Sequence, residues 1–95
     1  MTHLALALVA MAFVLAAGAA VAAERTVTLN VENMTCSLCP ITVKASLEAV
    51  PGVSKVDVSF ERKTAVVTFD DAKASVTELI GATADAGYPS QAAAP

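Results

Sequence analysis

The chain has 95 residues, 56% of them hydrophobic, with a formal net charge of −3 and a pI near 4.8. This length accommodates one small domain, and the acidic balance excludes nucleic-acid binding of the kind that depends on a basic surface. The hydrophobic residues are unevenly distributed, because residues 1–22 contain no Asp, Glu, Lys or Arg and every charged residue follows them.

Residues 1–22 are predicted to be a signal peptide. They hold a 12-residue apolar core followed by small residues, and Ala-Val-Ala at residues 20–22 fits a cleavage site, so cleavage is predicted after Ala22. No Lys or Arg precedes the core. The alternative is an uncleaved membrane anchor, since the apolar stretch is just long enough to span a bilayer. Either interpretation places the domain of residues 23–95 outside the cytoplasm.

The first predicted strand and helix enclose the two cysteines of the chain. Residues 26–31 alternate apolar and polar, which predicts a half-buried strand. A loop follows, and a helix is predicted with Ser37 as its N-cap, running to about residue 50 and ending at Pro-Gly. The helical spacing places Cys39 on one face with three apolar residues, Val43, Leu47 and Val50. Cys39 is therefore expected to lean toward the core and Cys36 to be the more exposed thiol.

A hairpin and a second helix follow. Residues 53–60 and 64–69 alternate around a short charged turn, which predicts an antiparallel hairpin. Its predicted inward side chains are Val56, Val58, Phe60, Ala65, Val67 and Phe69. Ser75 and Glu78 form a capping-box sequence that opens the second helix, and Gly87 is predicted to end it. The buried face of that helix is predicted to comprise Val76, Leu79, Ile80, Thr83 and Ala84.

The order βαββα, with a possible last short strand at residues 88–91, predicts an α+β fold. The expected architecture is a ferredoxin-like βαββαβ sandwich with a four-stranded antiparallel sheet and both helices on one face. Residues 92–95 are predicted to be frayed. In this arrangement the cysteine loop and the loop after the second helix meet at one edge, so Tyr88 is expected near the cysteines.

Cys36 and Cys39 carry the chemistry that the residues predict. Thiolates select soft cations, and a Cys-x-x-Cys pair that opens a helix has lowered thiol pKa values. A purely structural disulfide is a poor fit, because closing four residues constrains the unfolded chain little. Three functions remain open: a soft-metal carrier, a thiol oxidoreductase and a structural zinc site. Zinc normally takes four protein ligands, and a thioredoxin-like fold needs a longer chain than this one.

The residues around the cysteines resemble the metal loop of the heavy-metal-associated domains. The resemblance rests first on Met34-Thr35-Cys36-Ser37-Leu38-Cys39-Pro40-Ile41-Thr42-Val43-Lys44. The later segments at residues 52–58, 65–73 and 82–90 are most similar to the periplasmic mercury-binding proteins of bacterial mercury resistance. Together these segments cover nearly all of residues 23–95. The chain departs from that family at two places: the predicted signal peptide lacks basic residues, and the tail after Ser90 differs.

The resemblance implies that residues 23–95 form a heavy-metal-associated domain in the periplasm. It implies that Cys36 and Cys39 bind Hg(II) as cargo and pass it by thiol exchange to an inner-membrane mercuric transporter. The protein is then a carrier and not an enzyme, and a monomer is expected. The alternative within the same fold is a copper(I) chaperone.

Four other features of the sequence could contribute to a metal site. Met34 is expected to pack under the loop, and the alternative is a third soft ligand. Tyr88 either shapes the surroundings of the metal or is a plain core aromatic. Lys44 and Lys73 are expected to be solvated surface charges. The acidic pair at residues 70–71 is expected to keep its loop soluble, and the alternative is weak binding of a hard cation.

Overall fold

The structure is a computed structural model that describes residues 23–94. Its elements are β1 (Glu24–Val31), α1 (Cys39–Glu48), β2 (Val53–Ser59), β3 (Thr64–Asp70), α2 (Val76–Asp85) and β4 (Ser90–Ala92). The predicted order βαββαβ is confirmed. The predicted signal peptide lies outside the described residues. Within residues 23–94, none of the helices has the length and apolar character needed to cross a membrane.

The four strands form one antiparallel sheet in the order β2-β3-β1-β4. Strand β1 pairs with β3 from Glu24↔Asp70 to Asn30↔Thr64, and its last residue, Val31, pairs with Ser90 of β4. The end of β1, the start of β3 and the start of β4 therefore lie at one edge of the sheet. This edge carries the loop that holds the cysteines. The strand order and the two helices confirm the predicted ferredoxin-like fold class.

The core lies between the sheet and the two helices. Alternate residues of β1 and β3 are buried, and α1 contributes Cys39, Val43 and Leu47 to the same cluster. Burying each large apolar side chain stabilises the fold by about 1.5–3 kcal/mol relative to exposure. Two predicted core positions are wrong. Phe60 follows the end of β2 and is 38% exposed, and Ala84 lies on the exposed side of α2.

The N-terminus of α1 differs from its prediction. Leu38, not Ser37, is the capping residue, and no side chain bonds to the free amides. The backbone of Leu38 is already helical, with φ −91° and ψ −12°, whereas a capping Ser requires an extended backbone. The helix also ends at Glu48, about two residues before the predicted end, within the usual uncertainty of helix boundaries.

Both predicted caps of α2 are present. Ser75 Oγ accepts a hydrogen bond from the Glu78 amide at 3.2 Å. At the other end Gly87 has φ +98°, and the amide of Tyr88 donates to the Thr83 carbonyl at 2.8 Å. This is the Schellman arrangement, in which glycine supplies the left-handed residue that ends a helix. The chain therefore turns back toward the edge that carries the cysteine loop.

The C-terminal strand is better formed than predicted. Ala92 pairs with Leu29, and the Ala93 amide donates to the Thr28 carbonyl at 2.8 Å. Thr83, which is fully buried, shares a 2.6 Å hydrogen bond between its hydroxyl and that of Ser90. The prediction that the tail frays from residue 92 is therefore wrong at its first two residues, because β1 offers free backbone partners along this edge.

Candidate metal site

The cysteine loop joins β1 to α1 by a series of tight turns. Asn33 has φ +68°, a left-handed conformation that Asn tolerates better than most residues. The Thr35 amide donates to the Asn33 carbonyl at 2.9 Å, and the Cys39 amide donates to the Cys36 carbonyl at 3.1 Å. The second turn places the two cysteines next to each other at the start of α1.

Cys36 and Cys39 are joined by a disulfide, and their Cα atoms are 5.3 Å apart. Cys39 is only 5% exposed and packs in the core beside Val43, whereas Cys36 lies on the surface. The predicted difference in exposure between the two cysteines is confirmed. In this oxidised state neither sulfur is a thiolate, so the pair becomes a two-thiolate site for a soft cation only after reduction.

Met34 lies beneath the loop. Its side chain is 1% exposed and belongs to the core cluster together with Leu29 and Cys39. The predicted packing role is confirmed, and the flexible thioether fills the space under the turns. The same side chain anchors the loop at its start, as Cys39 does at its end.

The loop after α2 frames the cysteine loop on one side. The Glu32 amide donates to the Pro89 carbonyl at 2.8 Å, and Asn33 Nδ2 donates to the Gly87 carbonyl at 3.3 Å. Tyr88, between these two acceptors, is partly buried against the core. The predicted approach of the two loops is confirmed, and the Schellman cap of α2 is what aims residues 87–89 at the cysteine loop.

The hairpin turn between β2 and β3 frames the loop on the other side. The Val31 amide donates to the Lys63 carbonyl at 2.8 Å, and the Lys63 ammonium donates to the Met34 carbonyl at 2.6 Å. The same ammonium lies 3.7 Å from the centroid of the Phe60 ring. From the sequence, Lys63 is predicted only to be part of the short charged turn of the hairpin. Because β1 pairs with β3, the turn that precedes β3 lies beside the loop that follows β1. Predicting this pairing is what would have placed Lys63 near the cysteine loop.

Two large apolar side chains are exposed near the cysteines in sequence. Leu38 is 68% exposed and Ile41 is 65% exposed, and both are close in sequence to Cys39. Isolated exposed apolar residues are ordinary on protein surfaces. Leu38 is the residue before α1 and Ile41 lies in its first turn, so both flank Cys39 in the chain.

The remaining candidates lie outside the site. Lys44 and Lys73 are exposed, as predicted. Asp70 Oδ1 accepts from the Ala72 amide at 2.9 Å, so this carboxylate helps to shape its own loop. Across residues 23–94, no group of three or more His, Cys, Asp or Glu side chains is arranged to hold a metal ion.

Comparison with known proteins identifies relatives over most of the chain. A family model described as the heavy-metal-associated domain matches residues 28–89. The chain is 70% identical over 69 residues to the mercuric transport protein periplasmic component of Pseudomonas aeruginosa, covering 73% of this chain and 76% of that protein.

Two solved structures share the fold at 65% identity, and each match covers 76% of this chain and 100% of the other. The crystal structure of oxidized MerP from Ralstonia metallidurans CH34 has a TM-score of 0.74. The NMR structure of mercury-bound MerP, the periplasmic protein from the bacterial mercury detoxification system, has a TM-score of 0.68. One relative is thus described in an oxidised state and one with mercury.

Proposed function

Because this chain belongs to the heavy-metal-associated domain family, we propose that it binds Hg(II) in the periplasm and carries it as cargo. The proposed ligands are Cys36 and Cys39 in their reduced form. The observation that carries the proposal is the placement of these sulfurs, one exposed and one in the core, at a loop-to-helix junction. The relatives named for mercuric transport and for bound mercury support the choice of ion.

The exposure difference supports transfer by ligand exchange. Two thiolates neutralise the charge of one Hg(II) ion, and Cys36 leaves one bond open to attack from outside. An incoming thiolate bonds to the ion, one protein thiolate is released, and a second exchange frees the ion from the protein. The oxidation state of mercury does not change and the cargo leaves as it arrived. The protein is thus proposed to act as a carrier and not as an enzyme.

The proposed acceptor is an inner-membrane mercuric transporter with its own cysteine thiols. The apolar side chains of Leu38 and Ile41, both about two-thirds exposed, support a contact at this end of the molecule. A monomer suffices for this function, since both proposed ligands come from one chain. The alternative cargo is copper(I), which also accepts two thiolates and is bound by soft sulfur ligands.

Titration of the purified domain with Hg(II) tests the proposal. The reduced protein is expected to bind one ion per chain, and the disulfide form is expected to bind none because its sulfurs are not thiolates. Cys36→Ser and Cys39→Ser should each abolish tight binding, while Ser37→Ala, inside the same loop, serves as the matched control. Full binding by the disulfide form, or by either Cys→Ser variant, would contradict the proposed ligand pair.

A further inference from the structure

The Lys63 side chain connects the hairpin turn to the cysteine loop. Its ammonium donates a 2.6 Å hydrogen bond to the carbonyl of Met34, two residues before Cys36. A hydrogen bond from a charged donor is about twice as strong as a neutral one. The Phe60 ring, 3.7 Å away at its centroid, holds the same ammonium by a cation–π contact.

The backbone of Lys63 is itself fixed in an unfavourable conformation. Its φ is +57°, in the left-handed region that glycine adopts most easily. Its carbonyl accepts from the Val31 amide at 2.8 Å, which ties the turn to the end of β1. A glycine would satisfy this turn with less strain but would lose the side chain. Strain of this kind at a long charged residue points to a use for that side chain.

The carbonyl that Lys63 binds belongs to the residue on which the loop rests. The Met34 side chain is buried in the core, and the next amide, that of Thr35, closes a tight turn on Asn33 at 2.9 Å. The ammonium thus holds the loop by its backbone, while the Met34 side chain holds it by packing in the core. Cys36 follows directly after this doubly held segment.

We propose that Lys63 is a positioning residue for the metal site: its ammonium holds the Met34 carbonyl and so keeps Cys36 within reach of Cys39 when the disulfide is reduced. The inference rests on the proposed function for its consequence, which is tighter metal binding. A loop that is already ordered loses less conformational freedom when both sulfurs bind one ion, and such preorganisation raises affinity. Lys63 itself does not contact the cargo.

Three substitutions separate this role from a structural one. Lys63→Met removes the charge and keeps the length, Lys63→Gly removes the side chain and relieves the strained φ, and Lys63→Arg keeps a donor. Lys44→Met, at an exposed lysine of α1, is the matched control for the loss of one positive charge. If Lys63 were only a turn residue, Lys63→Gly would leave the cysteine loop unchanged. The Lys63→Gly protein would then unfold at the same urea concentration as the wild type or at a higher one.

The first readout needs no metal. Hydrogen exchange of the Thr35 amide is measured in the reduced, metal-free protein. Lys63→Met and Lys63→Gly are expected to exchange about tenfold faster than the wild type, the effect of losing one charge-assisted hydrogen bond. Lys63→Arg should restore most of the protection, and Lys44→Met should match the wild type. Unchanged exchange in both Lys63→Met and Lys63→Gly would overturn the proposal.

The second readout is Hg(II) affinity, measured by competition with a small dithiol. Lys63→Met and Lys63→Gly are expected to bind about tenfold more weakly, with Lys63→Arg near the wild type. Wild-type affinity in both variants would overturn the proposed consequence for binding. If the reduced wild type bound no Hg(II), the proposed function would fail, and the Thr35 exchange would still decide whether Lys63 holds the loop.

Discussion

Cys36 and Cys39 differ in exposure, and their reactivity is expected to differ with it. Cys36 is on the surface, whereas Cys39 is 5% exposed. In the reduced, metal-free protein, iodoacetamide should therefore modify Cys36 several-fold faster, as measured by peptide mass spectrometry over time. In urea, where both thiols are accessible, the two rates should converge. Equal rates in the folded protein would contradict the assignment of Cys36 as the thiol that meets the incoming ligand.

Met34 lies two residues before Cys36 in the chain, and its side chain packs in the core. Because its side chain is 1% exposed, Met34→Leu is expected to lower the free energy of unfolding by less than about 1.5 kcal/mol. Met34→Ala leaves a cavity and should lower it by about 2–5 kcal/mol. Urea unfolding of the two variants measures both effects.

The same Met34→Leu variant tests whether the thioether is a ligand. Its affinity for Hg(II) should stay close to that of the wild type, since Leu fills the same space without a sulfur. A folded Met34→Leu protein with much weaker Hg(II) binding would show that Met34 coordinates the ion.

A glycine with a left-handed backbone follows each helix. Gly52 lies between α1 and β2, Gly87 lies between α2 and β4, and both have φ +98°. Gly87→Ala should lower the free energy of unfolding by about 1 kcal/mol, because only the backbone conformation becomes strained. Gly52→Ala should lower it further, since the added Cβ would lie 2.8 Å from the Cβ of Lys73. Gly81, in the middle of α2 with open space around it, is the control.

Gly81→Ala should raise the free energy of unfolding by about 1 kcal/mol, the difference in helix propensity between the two residues. Denaturant unfolding of the three variants gives the order directly. A Gly52→Ala protein as stable as Gly87→Ala would refute the close approach of the α1–β2 turn to Lys73.

Periodicity and local turn chemistry predicted the elements well. The alternation of β1 and β3, the Ser75 cap and the Gly87 terminus are each encoded within a few residues, and the structure contains all of them. The N-terminus of α1 was harder to predict. A Ser in the right place suggests a cap, but the turn that joins the two cysteines already has a helical backbone at Leu38.

The site itself was predictable only in part. The helical spacing after Cys39 predicts the difference in exposure between Cys36 and Cys39, and Met34 is predicted to pack under the loop because its side chain is flexible and apolar. The contact of Lys63 with the Met34 carbonyl does not, because it joins residues 29 positions apart and depends on how β1 and β3 pair. The exposure of Phe60 has the same origin, since its ring lies beneath the Lys63 ammonium and outside the core.

At the scale of the whole chain, residues 1–22 are proposed to be removed on export. The small residues at positions 20–22 fit a cleavage site, and the domain begins its first strand at Glu24, directly after that point. Intact-mass analysis of protein from a periplasmic extract is expected to give a chain that starts at Ala23. A periplasmic-side, membrane-bound protein that retains residues 1–22 would favour the anchor instead.

The proposed site, Cys36 and Cys39, offers its cargo two thiolates, and this number of ligands limits which ions it can hold tightly. Zinc in a structural site takes four protein ligands, so two thiolates leave it incompletely coordinated. Copper(I) accepts two thiolates, and coordination number alone does not separate it from Hg(II). The stronger affinity of Hg(II) for thiolates is what should decide between them.

The most direct test of the carrier function is a competition between Hg(II) and copper(I) for the reduced protein, read by native mass spectrometry. Equal amounts of the two ions are offered in a buffered small-thiol solution, with zinc present at the same level. The proposed function predicts one Hg(II) per chain, retained in the presence of both other ions. Displacement of Hg(II) by copper(I) at equal concentration would contradict it and would favour the copper(I) chaperone.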